Sequence, residues 1–200
     1  MAVPSAVRKR YRSQEPEHLL MIPDWTPQGV LPPYDPDAPR ARKRSPYHAS
    51  LADFLVRYAT SPARKTILRG FLSFRGALHG AGLMHGFQWI DGSFLENIEV
   101  IERRDPNDLD VVTFYHLPEG QTQQALYGSV PLLFDHGHNK EAYSVDAYFR
   151  CFSGSVPELL MNDSVYWYSL WSHRRNEQWK GYLQIDLADA DGQAAQVNLD

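Results

Sequence analysis

Apolar residues recur at helical spacing in two stretches after residue 49. Ser50, with Asp53 three residues later, predicts the N-terminus of a first helix. Ser61 as N-cap and Pro62 at the first helical position predict a second helix, which ends at the Gly80/Gly82 pair. The apolar faces are Leu51, Phe54, Leu55 and Tyr58 in the first helix, and Ile67, Leu68, Phe71, Leu72, Phe74 and Leu78 in the second. Four basic residues are expected mostly off the second face: Arg64, Lys65, Arg69 and Arg75.

From residue 86 onward, short β-rich segments alternate with helical ones. Strands are predicted at 87–90, 108–115, 143–149 and 180–187, where bulky and β-branched residues cluster. Helical turns are expected from Phe94 to about Ile101, and helices at 119–134 and 156–171, with Gly128 and Pro131 as weak points in the first of these. The pattern predicts an α+β (α/β) fold, in which helices flank a small mixed sheet.

The N-terminal part has a different composition from the rest. Seven prolines between residues 22 and 46 disfavour ladders and helix interiors there, although Trp25, Val30, Leu31 and Tyr34 are apolar enough to pack on the body. We therefore expect three parts. They are a basic, Pro-rich, partly disordered tail and lead-in (residues 1–46), one domain (47–190) and a frayed C-terminus (191–200).

Charge and cysteine content indicate which ligands and which cellular compartment to expect. The net charge of −4 divides into +3 over residues 1–46 and −7 over the rest, which argues against a duplex-DNA binder. No apolar run reaches the roughly 20 residues that would cross a membrane, and the basic start has no apolar core of a signal peptide behind it. Cys151 is the only cysteine and is expected to be a small buried apolar residue, so a reducing, cytoplasmic setting is expected.

Acidic residues mark the predicted strands. Asp108 and Asp110 are two residues apart and project to the same face of a strand, and Asp146 joins them if its strand pairs alongside. Two carboxylates about 4 Å apart repel by about 4 kcal/mol at an effective dielectric near 20. A hard divalent cation such as Mg²⁺ or Mn²⁺ would remove that repulsion, and two such ions can bridge carboxylates and phosphates.

A Gly-Ser pair follows the first of these strands. Gly92 would let the backbone approach a phosphate closely, and the helical turns after Ser93 would direct free N–H groups toward it. The Ser93 hydroxyl adds another donor. Either feature alone is common, and the combination of a Gly-Ser pair with three strand-borne aspartates is less so.

This combination resembles the signature of the polymerase-beta-like nucleotidyltransferase superfamily. Gly92-Ser93 followed by Asp108-Leu109-Asp110 is similar to its glycine-containing pair and Asp-x-Asp element, and Asp146 to its third acid. A closer likeness is to a bacterial family of uncharacterised nucleotidyltransferase-like proteins, carried by residues 89–94 and 106–112 and extending over roughly residues 29–187. The fourteen-residue spacer after Ser93 is longer than is usual in the superfamily.

The resemblance implies a metal-dependent transfer of a nucleotidyl group from an NTP to an acceptor, which could be a protein, an RNA or a small molecule. It implies that Asp108, Asp110 and Asp146 hold Mg²⁺ or Mn²⁺, that Asp146 could also act as a base, and that Gly92 and Ser93 hold phosphates. Arg175 and Lys180 are further candidates for phosphate contacts.

Other interpretations stay open. The chain could be a nucleotidyltransferase-like antitoxin or phage-defence partner that acts mainly by binding a cognate protein, or it could use Asp-x-Asp with a nucleotide sugar. His136-Gly137-His138 could be a metal pair, but a loop is favoured because no cysteine is near. The aromatic residues Tyr166, Trp167, Tyr168 and Trp171 are interpreted as core packing, with a base-stacking platform as the alternative.

Overall fold

A five-stranded mixed sheet forms the centre of the computed structural model, which describes residues 22–189 and residue 199. Its spatial order is β1-β5-β2-β3-β4. Strand β2 is antiparallel to both β3 and β5, whereas β3 pairs with β4, and β1 with β5, in parallel. The strands are β1 (Tyr47–His48), β2 (Gly86–Asp91), β3 (Leu109–Tyr115), β4 (Val145–Cys151) and β5 (Leu183–Asp186).

Within the described part of the chain, six α-helices flank this sheet. They are α1 (Leu51–Tyr58), α2 (Pro62–Gly80), α3 (Ile98–Ile101), α4 (Gln123–Ser129), α5 (His136–Tyr143) and α6 (Pro157–Trp171), with short 3-10 turns at Ser93–Leu95 and Pro131–Phe134. The predicted caps are confirmed, because the Ser50 and Ser61 side chains accept hydrogen bonds from the backbone N–H groups of Asp53 and Arg64. The predicted α+β class is also confirmed.

The apolar faces predicted for α1 and α2 lie in the core. Leu51, Phe54 and Phe71 are among the buried residues that form one cluster with the inner face of the sheet. Helix α2 also touches α5 closely: a Cβ on Gly70 would lie 2.1 Å from the Tyr143 carbonyl oxygen. Glycine at position 70 therefore sets how near α5 lies to α2.

Two arginines of α2 depart from the sequence expectation. Arg64 and Arg75 were expected mostly off the buried face, and both are buried. The Arg64 guanidinium donates to the carbonyl oxygens of Phe94 and Glu96, each at 2.6 Å. It also pairs with Glu99 at 2.5 Å. A guanidinium carries five donors, so it can be buried where carbonyl and carboxylate oxygens surround it.

Arg75 is buried for the same reason. It donates to the Gln88 side chain at 2.5 Å and to the carbonyl oxygens of Asp186, Leu187 and Asp189. Arg75 thereby connects α2 to the end of β5.

Three local predictions are corrected. Residues 136–138, favoured as a loop, begin helix α5, because the Asp135 side chain accepts the His138 backbone N–H at 2.6 Å and caps it. The helix predicted over 119–134 is divided at its weak points, since α4 ends at Ser129 and Pro131 starts a 3-10 turn. Cys151 is half-buried rather than buried.

The Pro-rich lead-in packs on the body where its apolar residues allow. Val30 and Leu31 are buried, and the Trp25 indole N–H donates to the Leu95 carbonyl at 2.6 Å. The tail was expected to be partly disordered, and its residues 1–21 lie outside the described residues. Most of the C-terminus that was expected to be frayed lies outside them too. Leu199 is described, and it is buried with its carbonyl accepting from Arg69. Among the described residues, no helix is long and apolar enough to span a membrane.

Replacing Arg64 with Met should lower the free energy of unfolding by about 2–4 kcal/mol, since two buried carbonyls and Glu99 lose their donor. Urea unfolding followed by circular dichroism measures this. Lys65→Met on the same helix is the control, because the Lys65 side chain has no hydrogen bond or ion pair with a described residue. It should change stability by less than about 0.5 kcal/mol. A loss below about 1 kcal/mol for Arg64→Met would contradict the anchoring role.

Candidate active site

Three aspartates form a row across three neighbouring strands. Asp91 at the end of β2 is in register with Asp110 of β3, and Asp110 is in register with Asp146 of β4. Side chains at paired positions project to the same face of a sheet. Asp108 immediately precedes β3 and, two residues before Asp110, shares that face. All four carboxylates line one cavity of about 820 Å³.

The opposite face of the same strands is apolar. Leu109, Val111, Val145 and Ala147 alternate with the aspartates and are buried in the core, as the strand periodicity predicted. A shift of one residue in either pairing would therefore move carboxylates into the core. The hydrophobic residues thus determine which face the carboxylates occupy.

The buried ammonium group of Lys180 balances the negative charge at one end of the row. Its Nζ lies 2.8 Å from Asp91 Oδ1 and 3.4 Å from Glu96 Oε1. Burial disfavours the ammonium charge, but the two carboxylates outweigh burial and raise the pKa of Lys180. The charge of Lys180 is therefore already committed to Asp91 and Glu96 at this end of the cavity.

Side chains of α5 balance the negative charge at the other end of the row. Lys140 Nζ lies 2.8 Å from Asp108 Oδ2 and 3.9 Å from Asp146 Oδ2. The hydrogen bond with Asp108 raises the pKa of Lys140. His136 Nδ1 lies 3.1 Å from Asp146 Oδ1. In contrast to Lys180, the Lys140 side chain is half exposed to solvent.

Asp110 in the middle of the row has no hydrogen bond or ion pair with any described residue. Burial, followed by the charges of Asp91, Asp108 and Asp146, raises the pKa of Asp110 to about 7. Above that pH Asp110 is a carboxylate without an ion pair to any described residue. Such a carboxylate attracts a cation from solution.

Gly92 brings the loop after β2 against this carboxylate. Its φ is +89°, and a Cβ there would lie only 2.1 Å from Asp110 Oδ2, so any side chain would clash as well as strain the backbone. The loop then continues into the 3-10 turn Ser93–Leu95, which Arg64 holds through the Phe94 carbonyl. Gly92, Ser93 and Asp110 consequently line the same cavity.

Basic residues lie on the outer wall. The Arg174 guanidinium binds Glu102 and lies 3.1 Å from Glu96 Oε2. Arg175 is exposed at the rim, and no hydrogen bond or ion pair joins it to a described residue. The cavity therefore combines an acidic floor with an arginine-bearing rim. Tyr148 and Trp171 also line the cavity. Burial together with the Asp146 charge raises the pKa of Tyr148 to about 12, so its hydroxyl stays a donor.

The sequence-predicted residues come together at this cavity, which they all line: Gly92, Ser93, Asp108, Asp110, Asp146, Arg175 and Lys180. Sequence reasoning missed Asp91, Glu96 and Lys140, and it considered His136 only as half of a metal pair with His138. The signal for Lys140 was available, since Asp135 followed by a run without proline is a helix start, and it would have put His136 and Lys140 one turn apart.

The candidate metal ligands already have a cation among them. In the described part of the chain, no three His, Cys, Asp or Glu side chains are arranged as a ready metal-ligand group. Lys140 Nζ lies between Asp108 and Asp146 instead. Asp146 Oδ1 is buried and accepts no hydrogen bond of good geometry, although His136 Nδ1 lies 3.1 Å from it.

The aromatic residues of α6 divide into two pairs. Trp167 and Trp171 are buried, which confirms the core-packing interpretation for these two. Tyr166 and Tyr168 are exposed, so that interpretation is wrong for them.

The chain belongs to the family described as "Family of unknown function (DUF6932)", whose family model matches residues 23–186. No curated protein and no solved structure matches the chain. The matched range contains the whole sheet and every residue of the candidate site.

Replacing Asp110 with Asn should make stability less dependent on pH. The folded-state pKa of about 7 lies above the ordinary value of 3.8, so the folded protein favours the protonated acid. Ionisation therefore lowers wild-type stability as pH rises from about 4 to 7, a loss that stays constant above pH 7. Without divalent cations, the free energy of unfolding of Asp110→Asn, taken relative to wild type, should rise by about 1–3 kcal/mol from pH 5 to pH 8.

Urea unfolding at several pH values in the presence of a chelator tests this expectation. Asp105→Asn, at an exposed position outside the cavity lining, is the control, and its difference from wild type should vary by less than about 0.5 kcal/mol over the same range. A pH-independent difference for Asp110→Asn would show that Asp110 is ionised throughout.

Proposed function

We propose that this chain is a metal-dependent nucleotidyltransferase, which moves a nucleotidyl group from an NTP to an acceptor hydroxyl. The observation that carries the proposal is the convergence of Asp108, Asp110 and Asp146 beside Gly92-Ser93 in one cavity. This arrangement agrees with what the resemblance to the polymerase-beta-like superfamily implies. A cavity of about 820 Å³ also lies within the size range of small-molecule sites.

Asp108, Asp110 and Asp146 fit a hard divalent ion, Mg²⁺ or Mn²⁺. Carboxylate oxygens are the ligands such ions prefer. Burial first, and then the charges of the neighbouring aspartates, raise the pKa of Asp110, so a bound cation would stabilise its ionised form. When bound, the metal would supply Lewis-acid stabilisation of the charge on the transferring phosphoryl group.

The chain's own residues would bind and orient the reactants. Gly92 allows the backbone to approach the phosphates, and the Ser93 hydroxyl donates to a terminal phosphate oxygen. Arg175 is exposed at the rim and has no ion pair with a described residue. It is suited to a second phosphate contact, since a guanidinium binds phosphate through paired donors. For Lys180, a direct phosphate contact is less favoured because its ammonium already binds Asp91 and Glu96.

The reaction forms one bond and breaks one. The acceptor oxygen bonds to the α-phosphorus, the bond from that phosphorus to the oxygen bridging the β-phosphate breaks, and pyrophosphate leaves. The acceptor hydroxyl loses its proton to a carboxylate. Asp146 is our candidate for this base because its buried Oδ1 faces His136, which can relay the proton.

A second function is favoured by a specific observation. Lys140 already neutralises Asp108, so the fold is stable with an ammonium where a metal ion would bind. A nucleotidyltransferase-like antitoxin or phage-defence partner that acts by binding a cognate protein would use such a metal-free state. Use of a nucleotide sugar is less favoured, because the Gly92-Ser93 turn would have no role in it.

Mg²⁺ together with ATP should raise the wild-type melting temperature and leave the Asp108→Asn/Asp110→Asn variant unchanged, since only wild type keeps the ligands. At a ligand concentration of about 100 times Kd the stabilisation is about 2.7 kcal/mol. Label transfer from NTPs labelled at the α-phosphate should fall at least about 100-fold in the variant. Asp105→Asn, at an exposed position outside the cavity lining, is the matched control for both measurements. An equal shift in wild type and the double variant would refute the assigned site.

Replacing Lys140 with Met should strengthen Mn²⁺ binding about 3- to 10-fold, because the ion no longer has to displace the ammonium. Isothermal titration calorimetry at pH 8 measures the affinity. Lys65→Met removes an equal charge on α2, outside the cavity lining, and should leave the affinity within about 2-fold of wild type. Weaker binding by Lys140→Met would mean that Lys140 organises the ligands and does not compete with the ion.

A further inference from the structure

Helix α6 contacts the rest of the chain through a narrow edge. Trp167 and Trp171 are buried on that edge, and Leu160 and Asp163 are half-buried. The remaining apolar residues at and after its N-cap are each between 43% and 68% exposed: Val156, Leu159, Met161, Val165, Tyr166, Tyr168 and Leu170. A contiguous apolar surface of this kind on a folded protein marks an interaction site.

The exposed residues lie on two flanks of the helix. At 100° per residue, Leu159, Tyr166 and Leu170 share one flank, which we call the pocket flank, because Leu170 lines the cavity. Met161, Val165 and Tyr168 share the other, which we call the far flank. From Leu170 to Leu159 the pocket flank extends about 16 Å away from the cavity, at 1.5 Å per residue.

The charge of α6 limits what can bind there. Residues 157–171 contain no Lys or Arg, and their only charged residues are Glu158 and Asp163. Asp163 pairs with Arg150 at 3.0 Å. Lysine and arginine contacts to phosphates supply much of the affinity for nucleic acids, and this helix offers an RNA none of them. An apolar protein segment would bury the exposed Leu and Tyr side chains.

We propose that the pocket flank is the docking surface for the acceptor, and that the acceptor is a protein. An apolar segment of that protein packs on Leu159, Tyr166 and Leu170, and directs a neighbouring Ser, Thr or Tyr hydroxyl past Leu170 into the cavity. This inference rests on the proposed nucleotidyl transfer. The hydroxyl oxygen bonds to the α-phosphorus, pyrophosphate leaves, and the hydroxyl proton passes to a carboxylate of the site.

The experiment compares two variants with equal added charge. Leu159→Glu/Tyr166→Glu changes the pocket flank, and Met161→Glu/Val165→Glu changes the far flank. All four side chains are more than half exposed, and Glu is a good helix former, so both variants should fold. Each is incubated with Mg²⁺ and ATP labelled at the α-phosphate. One portion receives a nuclease-treated lysate of the organism that encodes the chain, and another receives purified RNA from it.

We expect label on lysate proteins to fall at least 10-fold for the pocket-flank variant and to stay within 2-fold of wild type for the far-flank variant. No label should reach RNA. Both variants should keep the wild-type increase in melting temperature with Mg²⁺ and ATP, because neither changes a residue of the nucleotide site. That second measurement separates a lost docking surface from a damaged active site.

The other outcomes overturn one of the two proposals. Equal protein labelling by both variants, labelled RNA, or stabilisation by nucleotide without any labelled protein would refute a protein acceptor docked on this flank. Light scattering is run on the same samples, and a wild-type dimer that the pocket-flank change dissociates would assign the surface to a second copy instead. Absence of nucleotide stabilisation in wild type would refute the proposed function itself.

Discussion

Repulsion between carboxylates on one sheet face is the constraint around which this cavity is built. Asp91, Asp110 and Asp146 stand in register on three adjacent strands, and Asp108 lies beside them. Two carboxylates about 4 Å apart repel by about 4 kcal/mol at an effective dielectric near 20 unless a cation intervenes. Lys180 supplies one such cation, yet Asp110 keeps a raised pKa. The fold therefore carries electrostatic strain at the centre of its cavity, and perturbed carboxylates of this kind cluster at functional sites.

The surrounding structure holds these carboxylates in place through apolar packing, the close approach of the backbone at Gly92 and hydrogen bonds from a buried arginine. The apolar residues on the opposite face determine the strand registers, and a side chain at Gly92 would displace the Asp110 carboxylate. Arg64 extends this support to the neighbouring loop, because it binds the Phe94 and Glu96 carbonyls from a helix on the other side of that loop. The long spacer after Ser93 is thus anchored from α2, which explains how a short 3-10 turn can stay next to the carboxylates.

Much of this arrangement could be predicted from the sequence. The period-two alternation around Asp108, Asp110 and Asp146 was enough to put them on one face, and serine caps located the helices. Asp91 was missed because its place in the row depends on an antiparallel register with a strand about twenty residues away, which no local pattern encodes. Arg64 and Arg75 were misjudged because hydropathy treats arginine as a surface residue, whereas a guanidinium surrounded by carbonyls is stable in the interior.

The two lysines of the cavity differ in a way that bears on its use. Lys180 is buried, held by two carboxylates and connected to the backbone beside β5, so removing it would leave charges that solvent cannot reach. Lys140 is half exposed, and its ammonium can move into water at little cost when another cation approaches Asp108 and Asp146. One counter-charge is therefore permanent and the other replaceable. A site with a replaceable ammonium can be stable both with and without a divalent ion, whereas four unscreened carboxylates could be stable only with one.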